Sequence, residues 1–317
     1  PDFTYVIFAI FISSVVCGIL FIPDLLRFSF EFDARLLRQM LSYSIPLMIA
    51  SLPGIVNDFL DRILFRYFDT DPEAWRSSLG IFQAAVKLSV IMNLFIQMFR
   101  FAAEPFFFQR ARDKGSRQLY AIVMDFFTAF CGLILLGVFL YLDIFALVLG
   151  KDFRSGMGVV PIMLLSYMLL GMLFNVSMWY KLSGKTNMAI WITMAGLVVT
   201  VIVNVVFMPR FSFWAAAFGH LASYLVMFVI SAVLGNKYYP VPYSWKRILS
   251  LMLSIAVICV ATLLIDSEFF QGIAPGAAPA GKILVKLAVH SVLLIVYLAV
   301  AAFILKGRYR QALNPEA

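Results

Sequence analysis

The sequence predicts an all-α polytopic membrane protein of about nine transmembrane helices. Two observations carry that reading. Of the 317 residues, 63% are hydrophobic and 13% charged, with a mean hydropathy of +0.94. The apolar residues also fall in continuous runs of about 20, long enough to span a bilayer as helices, and not in the ten-residue alternation of barrel strands. A soluble domain carries about 45–50% apolar and about 25% charged residues. A soluble enzyme, a disordered chain and a secreted disulfide scaffold are therefore excluded, because no core hides this much apolar surface from water. Cys17, Cys131 and Cys259 are odd in number and far apart, each inside an apolar run. They read as small hydrophobes rather than a disulfide set or metal site.

The spans, in order, are Thr4–Ile22, Leu41–Tyr67, Leu79–Phe108, Leu119–Leu149, Val159–Leu182, Ala189–Met208, Phe213–Leu234, Ile248–Ile265 and Ile283–Leu305. Their connections are short. The longest, Asp266–Lys282, is rich in Gly, Ala and Pro, so function must lie in the bundle or its loops. Residue 1 is Pro, and nothing basic precedes the first run, so that run is not a signal peptide. The chain is expected to be the C-terminal part of a longer protein.

The net charge of +8 comes from 25 Lys+Arg against 17 Asp+Glu. Fifteen basic residues lie in connections after odd-numbered spans: Arg27, Arg35, Arg38, Arg110, Arg112, Lys114, Arg117, Lys181, Lys185, Lys237, Lys246, Arg247, Lys306, Arg308 and Arg310. Five lie after even-numbered ones: Arg76, Lys151, Arg154, Arg210 and Lys282. That bias places the first set, and the C-terminus, in the cytoplasm. The charge is thus a topology signal and calls for no nucleic-acid partner.

Ionisable groups at bilayer depth cost at least about 2.5–3.5 kcal/mol each on insertion scales, so the few present are informative. The second span reads Asn57-Asp58-Phe59-Leu60-Asp61-Arg62 after Pro46 and Pro53. Asp58 and Arg62 are four apart and can meet on one face, with Asp61 beside them. The prolines predict a kink. Two readings stand: a polar wall of a moving cavity, or a helix end whose charges snorkel to the interface. The third span carries Gln83, Lys87, Asn93, Gln97, Arg100 and Glu104 on an arc of about 140°. Arg100 and Glu104 can pair at i,i+4. This stripe is either a hydrophilic cavity wall or interhelical glue, and six polar positions exceed what packing needs. Arg62, Lys87, Asn93, Gln97 and Arg100 are the candidate substrate-binding residues. Asp58, Asp61 and Glu104 are candidates for ion coupling or pairing. Ser166, Tyr167, Asn175, Ser177 and Tyr180 in the fifth span are weaker signals, as is Asp125. Asn204, His220 and His290 are expected to make core hydrogen bonds, and Lys286 and His290 are the only oddities of the last two spans, which lack an acidic residue. No enzyme motif, phosphate loop or metal cluster stands out, so neither catalysis nor a cofactor is expected.

Several segments resemble a known family. LLRQMLSYSIPLMIASLPGIVNDFLDRILF at 36–65 is similar to the helix opening the C-terminal lobe of Wzx-type polysaccharide and O-antigen flippases. AAEPFFFQRA at 102–111, WYKLSGKTN at 179–187 and MPRFSFWAAAFG at 208–219 resemble later helices of that family. LGNKYYPVPY at 234–243 resembles its Bacteroidetes-type members. The resemblance implies the multidrug/oligosaccharidyl-lipid/polysaccharide exporter superfamily, a MATE-like fold of two six-helix lobes with two further helices in the flippase branches. It implies that residues 1–38 hold the last helix of the N-terminal lobe and a cytoplasmic linker. Residues 39–236 would form the C-terminal lobe and 237–317 the additional pair and tail, with five helices preceding. The implied activity is alternating-access transfer of an undecaprenyl-diphosphate-linked oligosaccharide across the bacterial inner membrane, with proton or sodium coupling. The alternatives are a cation-coupled multidrug antiporter of the same superfamily, a membrane glycan polymerase or glycosyltransferase, and a non-transporting scaffold.

Overall fold

The computed structural model describes residues 3–26, 32–70, 74–113, 115–148, 150–269 and 280–313, and among these every regular element is a helix. In chain order they are α1 (Phe3–Leu26), α2 (Ala34–Phe68), α3 (Trp75–Arg110), α4 (Ser116–Leu140), α5 (Leu142–Val148), a 3-10 turn at Lys151–Gly156, α6 (Val159–Val176), α7 (Met178–Leu182), α8 (Asn187–Phe211), α9 (Phe213–Tyr238), α10 (Trp245–Phe269) and α11 (Ala280–Leu313). Seven of these segments are long and apolar enough to cross a membrane: α3, α4, α6 with α7, α8, α9, α10 and α11. The first expected span is carried by α1, whose described side chains include the apolar stretch Ile7–Pro23. The second expected span is carried by α2, part of whose side chains lie outside the described residues.

Two expected spans are divided. The fourth breaks at Tyr141, and α5 restarts with Asp143 in its first turn, where a carboxylate suits the exposed N–H groups. The fifth breaks at Ser177, whose backbone N–H still returns to the Leu173 carbonyl at 2.8 Å. The lead-in at 34–40 is helical rather than a loop, because Asp33 caps it. Its Oδ1 accepts from the N–H groups of Arg35 (2.8 Å) and Leu36 (3.1 Å). Through Pro46 and Pro53, α2 remains helical.

The chain forms two compact units, Pro1–Ser44 and Ile45–Ala317. In the first, α1 is apolar all round and its described side chains are exposed. In the second, α6 is the hub, packing on α3, α4 and α9, while α8 lies along α9 and α10 and α11 pack on α4. Burial follows that order: 67% of the most apolar stretch of α6–α7 and 61% of that of α4 are inside, against 17% for α11. Lipid gives no hydrophobic drive between helices, so close packing and hydrogen bonds must hold them. At Gly196 of α8 a Cβ would strike Met227 and Ser223 of α9, and the Ser223 hydroxyl donates to the Gly196 carbonyl at 2.9 Å. Tyr297 of α11 donates to the Ala129 carbonyl of α4 at 2.8 Å. All three cysteines are free.

Basic connections meet at one end of the second unit. Arg117 lies over the Tyr239 ring at 4.7 Å and Lys185 over Tyr238 at 3.6 Å, which brings the α3–α4, α7–α8 and α9–α10 connections together. At the opposite end Thr70 donates to the Met208 carbonyl.

Candidate functional site

A groove of about 390 Å³ lies among α2, α3, α6, α7, α8 and α9, all within the second unit. Its polar lining is Ser51 of α2, Asn93, Gln97 and Arg100 of α3, Tyr167 and Ser177 at α6, Tyr180 of α7, Thr193 of α8, and Ser223 and Tyr224 of α9. The lining of α3 and α8 comes from the halves nearer the basic connections, so the groove sits toward that end.

Helical geometry explains which part of the α3 stripe reaches it. Buried Ala85, Ser89, Met92, Ile96, Ala103 and Phe107 define the face packed on the bundle. Asn93, Gln97, Arg100 and Glu104 flank that face at about 40–100°. Lys87 falls on the opposite side, exposed in line with Ile91, Leu94, Met98 and Phe101. The six-residue stripe therefore divides. Asn93, Gln97 and Arg100 line the groove, and Lys87 does not.

Electrostatics divide it further. Glu104 does not pair with Arg100. Its Oε1 accepts from Lys181 Nζ of α7 at 2.5 Å. Arg100 instead rests its guanidinium over the Phe174 ring at 5.1 Å, an attraction of about 0.5–2 kcal/mol. Among the described residues Arg100 makes no ion pair, and Asn93 and Gln97 make no hydrogen bond. The hydroxyls of Ser51, Ser177, Thr193 and Ser223 each donate to a backbone carbonyl. Their oxygens remain free to accept. The groove thus offers one unneutralised cation, two amides and a set of hydroxyl acceptors.

In α2, Asp61 is 3% exposed and Arg62 is exposed over the Phe59 ring at 5.3 Å. The Asp58 side chain lies outside the described residues, so its expected pairing with Arg62 does too. Asp61 Oδ2 meets His220 Nε2 of α9 at 3.0 Å, while its Oδ1 is buried without a hydrogen bond. Phe82 stacks on the imidazole, and Tyr224, one turn along α9, reaches the groove.

Sequence reasoning missed three partnerships. Lys181 stands among the loop cations in the sequence, and nothing in its register points to Glu104. Asp125, wholly buried, has Arg247 of α10 at 3.9 Å. Lys286 of α11 bridges Asp143 (2.6 Å) and Asp266 (3.1 Å), and His290 links Asp266 to the Leu140 carbonyl.

Comparison with known proteins adds one finding. Residues 1–111 match the model of a family described as polysaccharide biosynthesis protein. The matched stretch runs through α3, and so includes Asp61, Asn93, Gln97, Arg100 and Glu104 but none of α6–α9. No curated protein and no solved structure matches the chain. The match associates the first third of this membrane protein with polysaccharide biosynthesis.

Proposed function

We propose that the protein is a transporter, not an enzyme, and that it moves an undecaprenyl-diphosphate-linked oligosaccharide from the inner to the outer leaflet of the bacterial inner membrane. The observation that carries this reading is Arg100, which has no carboxylate partner among the described residues, in a groove whose other polar lining is amides and hydroxyls. A guanidinium attracts phosphate, and the acceptor oxygens suit sugar hydroxyls. Such a head group cannot cross hydrocarbon unaided, and a polar groove replaces the water it would lose. The groove lies toward the basic end, which the loop-charge bias assigns to the cytoplasm, where the C-terminus would also lie. Its volume is in the range of small-molecule sites, about 300–1,000 Å³, and takes a head group in part. Alternating access would then pass the head group across. Asp61 with His220 is the candidate for proton or sodium coupling.

The match to a polysaccharide biosynthesis family supports this over a multidrug antiporter, and so does the sign of the charge, since Arg100 repels organic cations. The test is deletion of the gene. The lipid-linked glycan should accumulate in the inner leaflet and surface glycan should fall. Normal surface glycan, or lost export of organic cations instead, would refute the reading.

A further inference from the structure

Beside the groove, toward its basic end, lies a small annex. Arg100 and Phe174 line both spaces, and the annex adds Glu104 and Lys181. We propose that this annex is a phosphate-binding subsite, and that Glu104 is an internal anion which an incoming phosphate group displaces from Lys181. The inference rests on the reading of the groove as a carrier site for a phosphate-bearing lipid.

Charge is the first argument. Two cations and one carboxylate share the annex, leaving it cationic by one charge; with Glu104 swung out the excess is two, matching a phosphate dianion or a diphosphate. Room is the second. The annex holds about 20 Å³, little more than one water, so a phosphate and the Glu104 carboxylate exclude each other. Burial is the third. The Lys181 side chain is only 16% exposed, so its charge is costly to leave without a counter-charge, and the protein supplies Glu104 when no ligand does. Depth is the fourth. At 36 residues α3 is about 54 Å long, well beyond a hydrocarbon core of about 30 Å. Glu104 lies six residues, about 9 Å, from the α3 end at Arg110. A lipid phosphate would therefore meet the annex near its own leaflet surface. Exchange also has a mechanical consequence: the Glu104–Lys181 bond is a tie between α3 and α7, and phosphate arrival releases it.

The test separates a ligand subsite from a plain structural tie by asymmetry. Purified full-chain protein is titrated calorimetrically with farnesyl diphosphate and with inorganic pyrophosphate. Lys181→Gln should weaken farnesyl diphosphate binding at least about tenfold, Lys181→Arg should retain it, and Glu104→Gln should leave it unchanged or tighter. A structural tie makes Lys181→Gln and Glu104→Gln equally harmful. Equal loss, wild-type affinity in Lys181→Gln, or no diphosphate binding by the wild type would each overturn the subsite. If Lys181→Gln fails to fold, weakened binding by Glu104→Gln decides against the proposal and retained binding decides for it. Normal surface glycan in the deletion strain, alongside intact diphosphate binding, refutes the transport reading and leaves the anion site standing.

Discussion

At the scale of single residues, two cations on one helix have opposite fates. Arg100 and Lys87 both belong to the polar arc of α3, but 13 positions at helical pitch set them about 140° apart. Arg100 reaches the groove and has no carboxylate partner among the described residues; Lys87 stands on the exposed apolar stripe. Arg100→Gln should abolish or strongly reduce glycan export while the protein still inserts. Losing a charge-assisted bond worth about 1.5–3 kcal/mol lowers diphosphate affinity roughly 10–150-fold. Titration of detergent-purified protein measures this directly. Lys87→Ala, in contrast, should bind diphosphate as the wild type does, and a loss equal to that of Arg100→Gln would show that the groove extends around α3. Both cations were legible in the sequence as unusual at bilayer depth. Their separation follows from which side of α3 packs on α6, and the α3 periodicity alone does not state that.

At the scale of elements, the polar side chains act mostly as fasteners. Asp61 and His220 join α2 to α9 in a setting that leaves neither much contact with water. Asp61→Ala strands a buried imidazole and should cost about 3–5 kcal/mol, read as a lower yield of folded protein and a lower Tm. Asp61→Asn keeps an acceptor oxygen and should recover most of that loss. Equal behaviour of the two variants would refute the pair's role as a tie. Lys286 fastens α11 to α5 and α10 through two carboxylates that are themselves 49% and 30% exposed. Solvent screening lowers what that bridge is worth, so Lys286→Gln should cost only about 1 kcal/mol, seen as a small drop in Tm. The sequence marked Lys286 and His290 as oddities of the last helix but left them without acids. Their partners come from α5 and the end of α10, which are distant in sequence.

At the scale of the whole molecule, composition and charge bias fixed the class and the orientation argument before any contact was known. Long apolar runs admit only helices, because lipid leaves no other way to satisfy the backbone. The bases fall at alternate connections, and the ring contacts of Arg117 and Lys185 bring those connections to one end. A cysteine introduced at Ser183 should react with a membrane-impermeant thiol reagent only after permeabilisation, whereas one at Thr70 should react in intact spheroplasts; the reverse pattern would invert the topology.

What the sequence determined by itself is therefore the solvent, the helices, and the short set of charges that bilayer burial makes costly. All of these depend on local composition and period, which a linear reading contains. Only the tertiary structure decided who neutralises whom. It gave Glu104 to Lys181, Asp61 to His220 and Lys286 to Asp143 and Asp266, and among the described residues it gave Arg100 no carboxylate. The physical reason is that a charge in a low-dielectric bundle takes the partner nearest in space. Helix packing sets that distance, and residues far apart along the chain are brought within 4 Å of each other.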